Sequence, residues 1–285
     1  MINLGLIGYP LSHSLSGVIH AAALKSLNMD GCYNLLETPP EELVQRVKFL
    51  KANDYKGFNI TIPLKVPITM FLDRVDEAAN LAGAVNTVKI MEDKSLVGFN
   101  TDIYGFKQAI HYEDKEQLSG NKGAILGTGG ASRACAIGLI ELGVKEIDFY
   151  SRNIINSADT INFLRAQFPN VAINLKQYQS IERLDDVAIL VNTTPVGMIN
   201  VAMSDSLVTD KHLKTMKEGS IVYDIVYNPF ETVLLKTAKN CGLKTINGLD
   251  MLVYQAQRAF EIWTEVLPSF KTMKIAALEN LLTNK

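Results

Sequence analysis

The stretch that decides the fold is "AILGTGGASRA" at residues 124–134. Its apolar start belongs to the strand pattern "KGAIL" (122–126), and its end opens a helical pattern. Gly127, Gly129 and Gly130 therefore lie directly between a strand and a helix. Glycines in that position permit a tight turn and let the backbone approach a bound group closely. The stretch predicts a strand–turn–helix unit of an α/β fold.

The same alternation of strand and helix patterns extends along most of the chain, which favours α/β architecture with largely parallel sheets. The predicted strands are 2–7, 32–37, 57–62, 122–126, 145–150, 171–176, 187–194, 220–227 and 243–247. The predicted helices are 17–27, 39–50, 131–143, 157–168 and 249–282, the last interrupted at Pro268. Residues 84–100 are predicted to form a hairpin with "EDK" near its turn, and the polar stretch at 111–122 is the best candidate domain boundary.

Composition narrows the classes of partner. The chain has 285 residues, of which 47% are apolar and 20% charged, and its net charge is −2. It therefore lacks the basic balance typical of nucleic-acid binding. Three widely spaced cysteines fit neither a disulfide framework nor a zinc site, and the start "MINLGLIGYP" lacks the basic region of a signal peptide. No apolar run is long enough for a membrane helix. We expect a cytoplasmic protein with reduced thiols.

The glycine turn and the strand after it predict a dinucleotide. Backbone amides at a helix N-terminus suit a pyrophosphate. NAD-binding folds place an acidic residue about 20 positions after the first glycine, where it holds the ribose 2′-OH. Here that region reads Ser151, Arg152 and Asn153. A guanidinium and a hydroxyl suit a 2′-phosphate, so the predicted cofactor is NADP. A tight turn without a ligand and a solvated surface arginine are the alternatives.

The loop "LVNTTPVGM" (190–198) follows a predicted buried strand. Open α/β sheets bind ligands beyond the carboxyl ends of their strands. We therefore expect this loop to lie near the ligand, although polar residues also follow strands in ordinary loops.

Four segments in the first hundred residues carry small polar clusters: "HSLS" (13–16), "NIT…K" (59–65), "AVNTV" (84–88) and "GFNTD" (98–102). Strand alternation in "GFNITIPLK" (57–65) places Phe58, Ile60, Ile62 and Leu64 on one face, opposite Asn59, Thr61 and Lys65. Hydroxyls, amides, one cation and one carboxylate suit a polyhydroxylated small molecule. Ordinary turn chemistry is the alternative. Metal-ligand spacing is absent, since the four histidines form no helical pair with an acid.

The chain resembles the shikimate dehydrogenases over nearly its whole length. The resemblance is carried by "IGYPLSHSLS", "GFNITIPLK", "GAVNTV", "GFNTDIYGF", "LGTGGASRA", "VNTTPVGM", "YDIVYNPFETVLL" and "NGLDMLVYQAQRAFEIW" in that order. It implies reversible oxidation of shikimate to 3-dehydroshikimate with NADP, on the route to aromatic amino acids. It also implies an α/β substrate domain (1–103 and 249–285), to which C-terminal helices return, and a doubly wound Rossmann domain (104–248).

The resemblance implies roles for individual residues. It makes Lys65 and Asp102 the catalytic pair. The implied substrate-binding residues are Ser14, Ser16, Asn59, Thr61, Lys65, Asn86, Asp102, Tyr227 and Gln255. The implied cofactor-binding residues are Gly127, Thr128, Gly129, Gly130, Ala131, Ser151, Arg152, Asn153, Thr193, Met198, Ile225, Gly248 and Glu77. No metal is implied, and the partners are small molecules bound by a monomer or homodimer.

Two positions depart from the family pattern. Gly17 stands where proline is usual, which loosens the turn that carries Ser16. Thr128 stands where alanine is common, so its branched side chain narrows the pyrophosphate approach while its hydroxyl offers a further contact. Two other functions stay open: a broader quinate/shikimate dehydrogenase, and a non-catalytic sensor of metabolite or NADP.

Overall fold

The computed structural model describes residues 1–199 and 207–283, which contain twelve strands and eleven α-helices. The strands are β1 (Ile2–Gly8), β2 (Gly31–Glu37), β3 (Tyr55–Ile60), β4 (Arg74–Val75), β5 (Thr87–Ile90), β6 (Leu96–Phe99), β7 (Lys122–Leu126), β8 (Glu146–Ser151), β9 (Ala172–Gln177), β10 (Val187–Asn192), β11 (Ile221–Asp224) and β12 (Lys244–Asn247). The helices are α1 (Ser16–Ser26), α2 (Leu43–Ala52), α3 (Glu77–Ala82), α4 (Asp102–Ala109), α5 (Tyr112–Lys115), α6 (Gly130–Glu141), α7 (Ile154–Gln167), α8 (Asp210–Leu213), α9 (Val233–Asn240), α10 (Leu249–Thr264) and α11 (Phe270–Thr283). The predicted α/β class is confirmed.

The chain divides into two compact units, each built on one six-stranded sheet. The first unit comprises Met1–Gly105 and Leu252–Lys285, and the second comprises Phe106–Met251. Within the described residues, no helix combines the length and the apolar character needed to cross a membrane.

The sheet of the first unit is mixed and has the order β2-β1-β3-β5-β6-β4. The predicted hairpin is confirmed, since β5 and β6 pair antiparallel. The indole of Trp263 in α10 donates to the Val88 carbonyl at 2.9 Å. A Cβ on Gly57 would lie 2.2 Å from that indole nitrogen, so glycine at this position lets α10 pack onto the sheet. This contact brings α10 to the strands that carry the polar clusters.

The sheet of the second unit is wholly parallel and has the order β12-β11-β10-β7-β8-β9. The chain runs outward from β7 to β9, returns to β10, and then runs outward on the other side. Such a reversal leaves a crevice beyond the carboxyl ends of the two central strands, here β7 and β10. Both strands are almost wholly buried and apolar, as parallel strands covered on both faces are.

Three sequence-based predictions are wrong in detail. Strand β3 ends at Ile60, and the side chain of Ile62 is 72% exposed rather than in the core with Phe58 and Leu64. Pro63 cannot donate a ladder hydrogen bond, so regular pairing stops before it. Strand β11 ends at Asp224 instead of residue 227, because the Asp224 carboxylate accepts from the Val226 amide and turns the chain.

The third correction concerns residues 111–122, which are not a boundary. They contain α5 and a 3-10 turn inside the second unit. Asp114 pairs with Lys244, and the Gln117 amide donates to the Gly219 carbonyl at 3.3 Å. The polar composition reflects a solvated helical surface whose backbone is fixed by the rest of this unit.

Candidate active site

Lys65 and Asp102 form an ion pair in the first unit, with 2.6 Å between Nζ and Oδ2. Lys65 ends the turn after β3, and its carbonyl accepts from the Val85 amide. Asp102 begins α4, and its amide donates to the Asn100 side chain at 3.1 Å. The two side chains are 18% and 10% exposed, so the pair is partly desolvated and still open on one side.

The Asn86 side chain is the centre of the polar cluster around this pair. Its Nδ2 group lies 2.9 Å from both Asp102 Oδ1 and Thr101 Oγ1, and its Oδ1 accepts from the Thr101 amide at 2.8 Å. Asn86 is 2% exposed, and both the nitrogen and the oxygen of its side-chain amide are already hydrogen-bonded. Its geometry therefore fixes the Asp102 carboxylate. Thr101 was missed from the sequence, although it immediately precedes Asp102 in "GFNTD".

Asn59 is a second bonded amide of the cluster. Its Nδ2 group donates to the Asn86 carbonyl at 3.1 Å and to Thr87 Oγ1 at 2.9 Å, while Tyr33 donates to its Oδ1 at 2.8 Å. Burial raises the pKa of Tyr33, so its hydroxyl stays a neutral donor. His20 stacks on the Tyr33 ring at 4.3 Å, and burial lowers the pKa of His20 to about 3. Tyr33 cannot be recognised as a site residue from the sequence, because it lies in an ordinary strand pattern.

The remaining first-unit candidates surround these amides. Gln255 of α10 places Oε1 3.4 Å from both Asn86 Nδ2 and Thr101 Oγ1. Ser16 is buried in the first turn of α1 beside the Tyr33 hydroxyl, and its amide donates to Ser14 Oγ at 3.3 Å. Thr61 is half-buried in the turn after β3, where its amide donates to the Ile7 carbonyl. Gly17 lies inside α1, so the helix holds Ser16 despite the missing proline.

The glycine turn of the second unit follows β7 as predicted. Gly127 has φ +100°, and a Cβ there would lie 2.9 Å from Thr193 Oγ1. A Cβ on Gly129 would meet no atom within 4 Å. Helix α6 begins at Gly130, and the first amides of a helix have no acceptor within it. Exposed backbone, open space and amide donors fit a phosphate group of a dinucleotide.

The last residue of β8 and the loop after it are the segment predicted to hold a 2′-phosphate. Arg152 is exposed, and its charge opposes the rise in the pKa of Tyr178, which burial brings to about 12. Asn153 caps α7, because its side chain accepts from the Asn156 amide at 3.0 Å. Ser151 is 7% exposed and bonds inward to Ser157 at 2.8 Å. Ser157 was missed, since nothing in the helical pattern distinguishes it.

The other cofactor candidates of the second unit follow β10, β11 and β12. Thr193 donates to the Leu126 carbonyl at 2.7 Å and so joins the ends of β7 and β10. Met198 is 40% exposed. A Cβ on Gly248 would lie 2.0 Å from the Ile225 carbonyl oxygen, so only glycine fits there. Of these candidates, Thr193 lies at the crevice, and Gly248 packs against the backbone of Ile225.

One candidate of the cofactor set and one of the substrate set lie in a different unit from most of the residues of that set. Glu77, implied in cofactor binding, is exposed in the first turn of α3 in the first unit. Tyr227, implied in substrate binding, follows β11 in the second unit, and burial raises the pKa of its hydroxyl.

Asp224 is a buried carboxylate at the end of β11. It accepts from Asn192 Nδ2 at 2.9 Å, Thr232 Oγ1 at 2.7 Å and the Val226 amide at 3.1 Å. Burial raises the pKa of Asp224 to about 6, against the effect of these hydrogen bonds. Asp224 thus joins three loops beside the crevice, and no cation of residues 1–199 or 207–283 forms an ion pair with it.

Comparison with known proteins identifies the family of this chain. Residues 6–88 match the model of the shikimate dehydrogenase substrate binding domain, and residues 248–278 match that of the shikimate 5'-dehydrogenase C-terminal domain. The shikimate dehydrogenase (NADP(+)) of Bacillus cereus (strain B4264) is 41% identical over 97% of this chain and 98% of its own length. The chain belongs to the shikimate dehydrogenase family.

Solved structures of the family have the same fold. A shikimate dehydrogenase in complex with NADP+ superposes with a TM-score of 0.89 at 36% identity, covering 99% of this chain and 96% of that one. The shikimate 5-dehydrogenase of Listeria monocytogenes, in complex with shikimate and NAD, gives 0.87 at 32% identity and 96% coverage of both chains. The α/β fold with a Rossmann-like unit is therefore that of the family.

Proposed function

We propose that this chain catalyses the reversible reduction of 3-dehydroshikimate to shikimate with NADP as the cofactor, in aromatic amino acid biosynthesis. The observation that carries the proposal is the partly open Lys65–Asp102 pair, fixed by Asn86 within a cluster of hydroxyls and amides. A secondary alcohol needs such a cluster to be oriented and a basic group to take its proton. The chain is thus an NADP-dependent oxidoreductase.

Lys65 is the proton carrier in this proposal. A lysine ammonium has three N–H donors, and Asp102 accepts one of them at 2.6 Å. In the reductive direction Nζ donates a proton to the substrate carbonyl oxygen, and in the oxidative direction the amine takes the hydroxyl proton. Bound NADP supplies the hydride chemistry, which no side chain can supply.

Asp102 orients the lysine and accepts from the substrate hydroxyl. Asn86 occupies its Oδ1 and Lys65 its Oδ2, but a carboxylate has about four lone-pair positions, so acceptor capacity remains. Asn59 and Asn86 already bond to protein groups, so they act mainly by fixing their neighbours. Ser14, Ser16, Thr61, Gln255 and Tyr227 complete the proposed substrate contacts.

The cofactor half of the proposal rests on the glycine turn and the loop after β8. The turn from Gly127 to Ala131 holds the pyrophosphate; the Gly127 amide donates to the Tyr150 carbonyl, so the donors are the amides that follow it. The exposed Arg152 meets the 2′-phosphate with bidentate donors. Thr193, Met198, Ile225 and Gly248 line the nucleoside parts, and Glu77 is the remaining proposed contact. Because no acidic side chain follows β8 at residues 151–153, nothing there repels a phosphate dianion.

We place the enzyme in the cytoplasm as a monomer or homodimer. Cys32, Cys135 and Cys241 form no disulfide with one another, which suits a reducing compartment. Light scattering behind a sizing column measures the oligomeric state directly.

The test is an assay of nicotinamide reduction at its absorbance, with shikimate or quinate and with NADP or NAD. Turnover with shikimate and NADP well above the other three pairs supports the proposal. Comparable turnover with quinate or NAD replaces it with the broader quinate/shikimate dehydrogenase. A folded sample that binds NADPH and turns over no pair replaces it with the sensor.

A further inference from the structure

Three hydroxyls of the second unit form a continuous chain between the glycine turn and the loop after β8. Thr128 Oγ1 lies 2.7 Å from Ser157 Oγ, which lies 2.8 Å from Ser151 Oγ. Ser157 Oγ also lies 2.7 Å from the Asn153 carbonyl oxygen. Ser157 is 3% exposed, so water does not compete for these bonds. The hydroxyl of Ser157 is thus shared by both segments proposed to hold cofactor phosphates.

The direction of each proton follows from the valence of the groups. A carbonyl oxygen only accepts, so the 2.7 Å contact is a hydrogen bond only if Ser157 donates its single proton to Asn153; Ser151 Oγ lies farther from that carbonyl oxygen, at 3.3 Å. Its two lone pairs then accept from Thr128 and Ser151. Ser151 Oγ in turn accepts from the Asn153 amide at 3.2 Å. This is the one assignment in which all three short contacts of Ser157 are hydrogen bonds.

These hydrogen-bond directions bear on the predicted contact between Ser151 and the 2′-phosphate. Its proton points into the protein, so it has none to donate to a 2′-phosphate unless the chain of hydroxyls rearranges. Arg152, on the same loop, is the exposed charged group. The same geometry accounts for Thr128: its hydroxyl turns away from the glycine backbone toward Ser157, so the branched side chain is held in one orientation.

We propose that Ser157 is a positioning residue for NADP, which sets the loop of Arg152 relative to the pyrophosphate turn through its bonds to Thr128 and Ser151. The proposal rests on the proposed function, since it concerns the same cofactor. Ser157 does not touch the cofactor; it fixes the spacing between two segments that bind different phosphates of one molecule. NAD lacks the 2′-phosphate, so loss of that spacing penalises NADP more than NAD.

The experiment is fluorescence titration of NADPH and of NADH with the full chain and with Ser157→Ala. We expect the ratio of the NADH to the NADPH dissociation constant to fall about three- to tenfold, the loss of one or two ordinary hydrogen bonds. Thr160→Ala is the matched control. Thr160 is a buried hydroxyl of the same helix, 3.2 Å from an Arg133 nitrogen, and should leave the ratio unchanged.

Arg152→Ala makes the test specific. If Ser157 acts through the Arg152 loop, Ser157→Ala lowers the ratio in the parent chain and has no further effect on it in the Arg152→Ala background. Equal weakening of NADPH and NADH by Ser157→Ala, or a full effect that persists without Arg152, overturns the proposal.

Thr128→Ala covers the case in which Ser157→Ala fails to fold. It breaks only the bond on the pyrophosphate side, and we expect a smaller fall in the ratio, about twofold for part of one hydrogen bond. An unchanged ratio counts against the positioning role. A parent chain that binds neither nucleotide instead refutes the proposed function.

Discussion

The polar cluster around Asp102 and the crevice around Gly127 solve the problem of binding in different ways. In the first unit, side chains fill the region and bond to one another, and a carboxylate is paired with a cation. In the second unit, Gly127 and Gly129 have no side chain and leave the backbone accessible, and the buried carboxylate of Asp224 accepts hydrogen bonds from neighbouring loops. In the proposed function, chemistry therefore depends on few atoms in the first region, whereas cofactor binding in the second depends on the shape of the backbone.

This contrast predicts which properties separate on substitution. Substitutions in the polar cluster around Asp102 should lower the catalytic rate and leave nucleotide affinity unchanged. In the crevice, nucleotide affinity should fall while the fold stays, except where a residue also joins loops.

The largest effect is expected for Lys65→Ala. Loss of a positioned acid–base group lowers turnover roughly 10²- to 10⁴-fold. NADPH affinity should not change, because the proposed role of Lys65 is proton transfer and the proposed phosphate contacts lie in the second unit. Steady-state rates at saturating shikimate, with NADPH titration, measure both.

Lys89→Ala is the control for Lys65→Ala. Lys89 is another lysine of the first unit with a carboxylate partner, Glu265 at 3.3 Å. Its replacement should leave turnover near that of the parent chain. Turnover of Lys65→Ala within a factor of two of the parent would exclude the proton role.

Asp224→Asn tests the carboxylate that joins loops. The pKa of Asp224 in the folded chain, about 6, is above its ordinary value of 3.8, so the folded state binds the proton more tightly. This contribution to stability is complete below about pH 4 and is lost as the pH rises through about 6. The asparagine side chain does not titrate, so the stability of Asp224→Asn should not show this loss as the pH rises.

Urea unfolding at pH 4 to 8 measures the Asp224 effect. The free energy of unfolding of the parent minus that of Asp224→Asn should fall by roughly 3 kcal/mol across that range, since one pKa unit corresponds to about 1.4 kcal/mol. A difference that does not vary with pH would show that the buried carboxylate titrates normally.

Gly129→Ala separates binding from folding in the crevice. The new Cβ meets no protein atom within 4 Å and φ is −76°, so we expect a stability change under about 1 kcal/mol. The methyl group occupies space proposed for the pyrophosphate, and the NADPH dissociation constant should rise about tenfold, or 1.4 kcal/mol.

Gly127→Ala is the matched comparison in the same turn. Its φ of +100° and the 2.9 Å approach to Thr193 Oγ1 should lower both the melting temperature and NADPH affinity. If Gly129→Ala lost as much stability as Gly127→Ala, the space around Gly129 would not be free of other protein atoms in solution.

The smallest effect is expected for Tyr33→Phe. It removes the donor to Asn59 Oδ1, worth about 1 kcal/mol, without touching the Lys65–Asp102 pair. The Michaelis constant for shikimate should rise a few-fold with nearly unchanged turnover. A large fall in turnover instead would place Tyr33 in the chemistry and weaken the division between the two regions.

Much of the second unit could be predicted from local sequence. The glycines between β7 and α6, the near-continuous apolar runs of β7 and β10, and Arg152 after β8 each depend on neighbours along the chain. The end of β11 at Asp224 could not, because it depends on a carboxylate that bonds to Thr232 and Asn192.

Less of the first unit could be predicted in this way. Asn59, Asn86 and Asp102 were identified as polar residues beside apolar strands, and the resemblance implied their roles. Thr101, Thr87 and Tyr33 were missed, because their bonds join residues between 14 and 28 positions apart. A hydrogen-bond network of this kind has no periodic signal.

The sequence alone determined the α/β class, the position of the glycine turn, the family and part of the polar cluster, because periodicity and motifs are local properties. Tertiary structure decided which of those residues are partnered. It paired Lys65 with Asp102, bonded Asn86 on both ends and turned the Ser151 hydroxyl inward to Ser157. A hydrogen bond needs its donor–acceptor distance to be correct within a few tenths of an ångström, and only the folded backbone sets such distances between segments far apart in the chain.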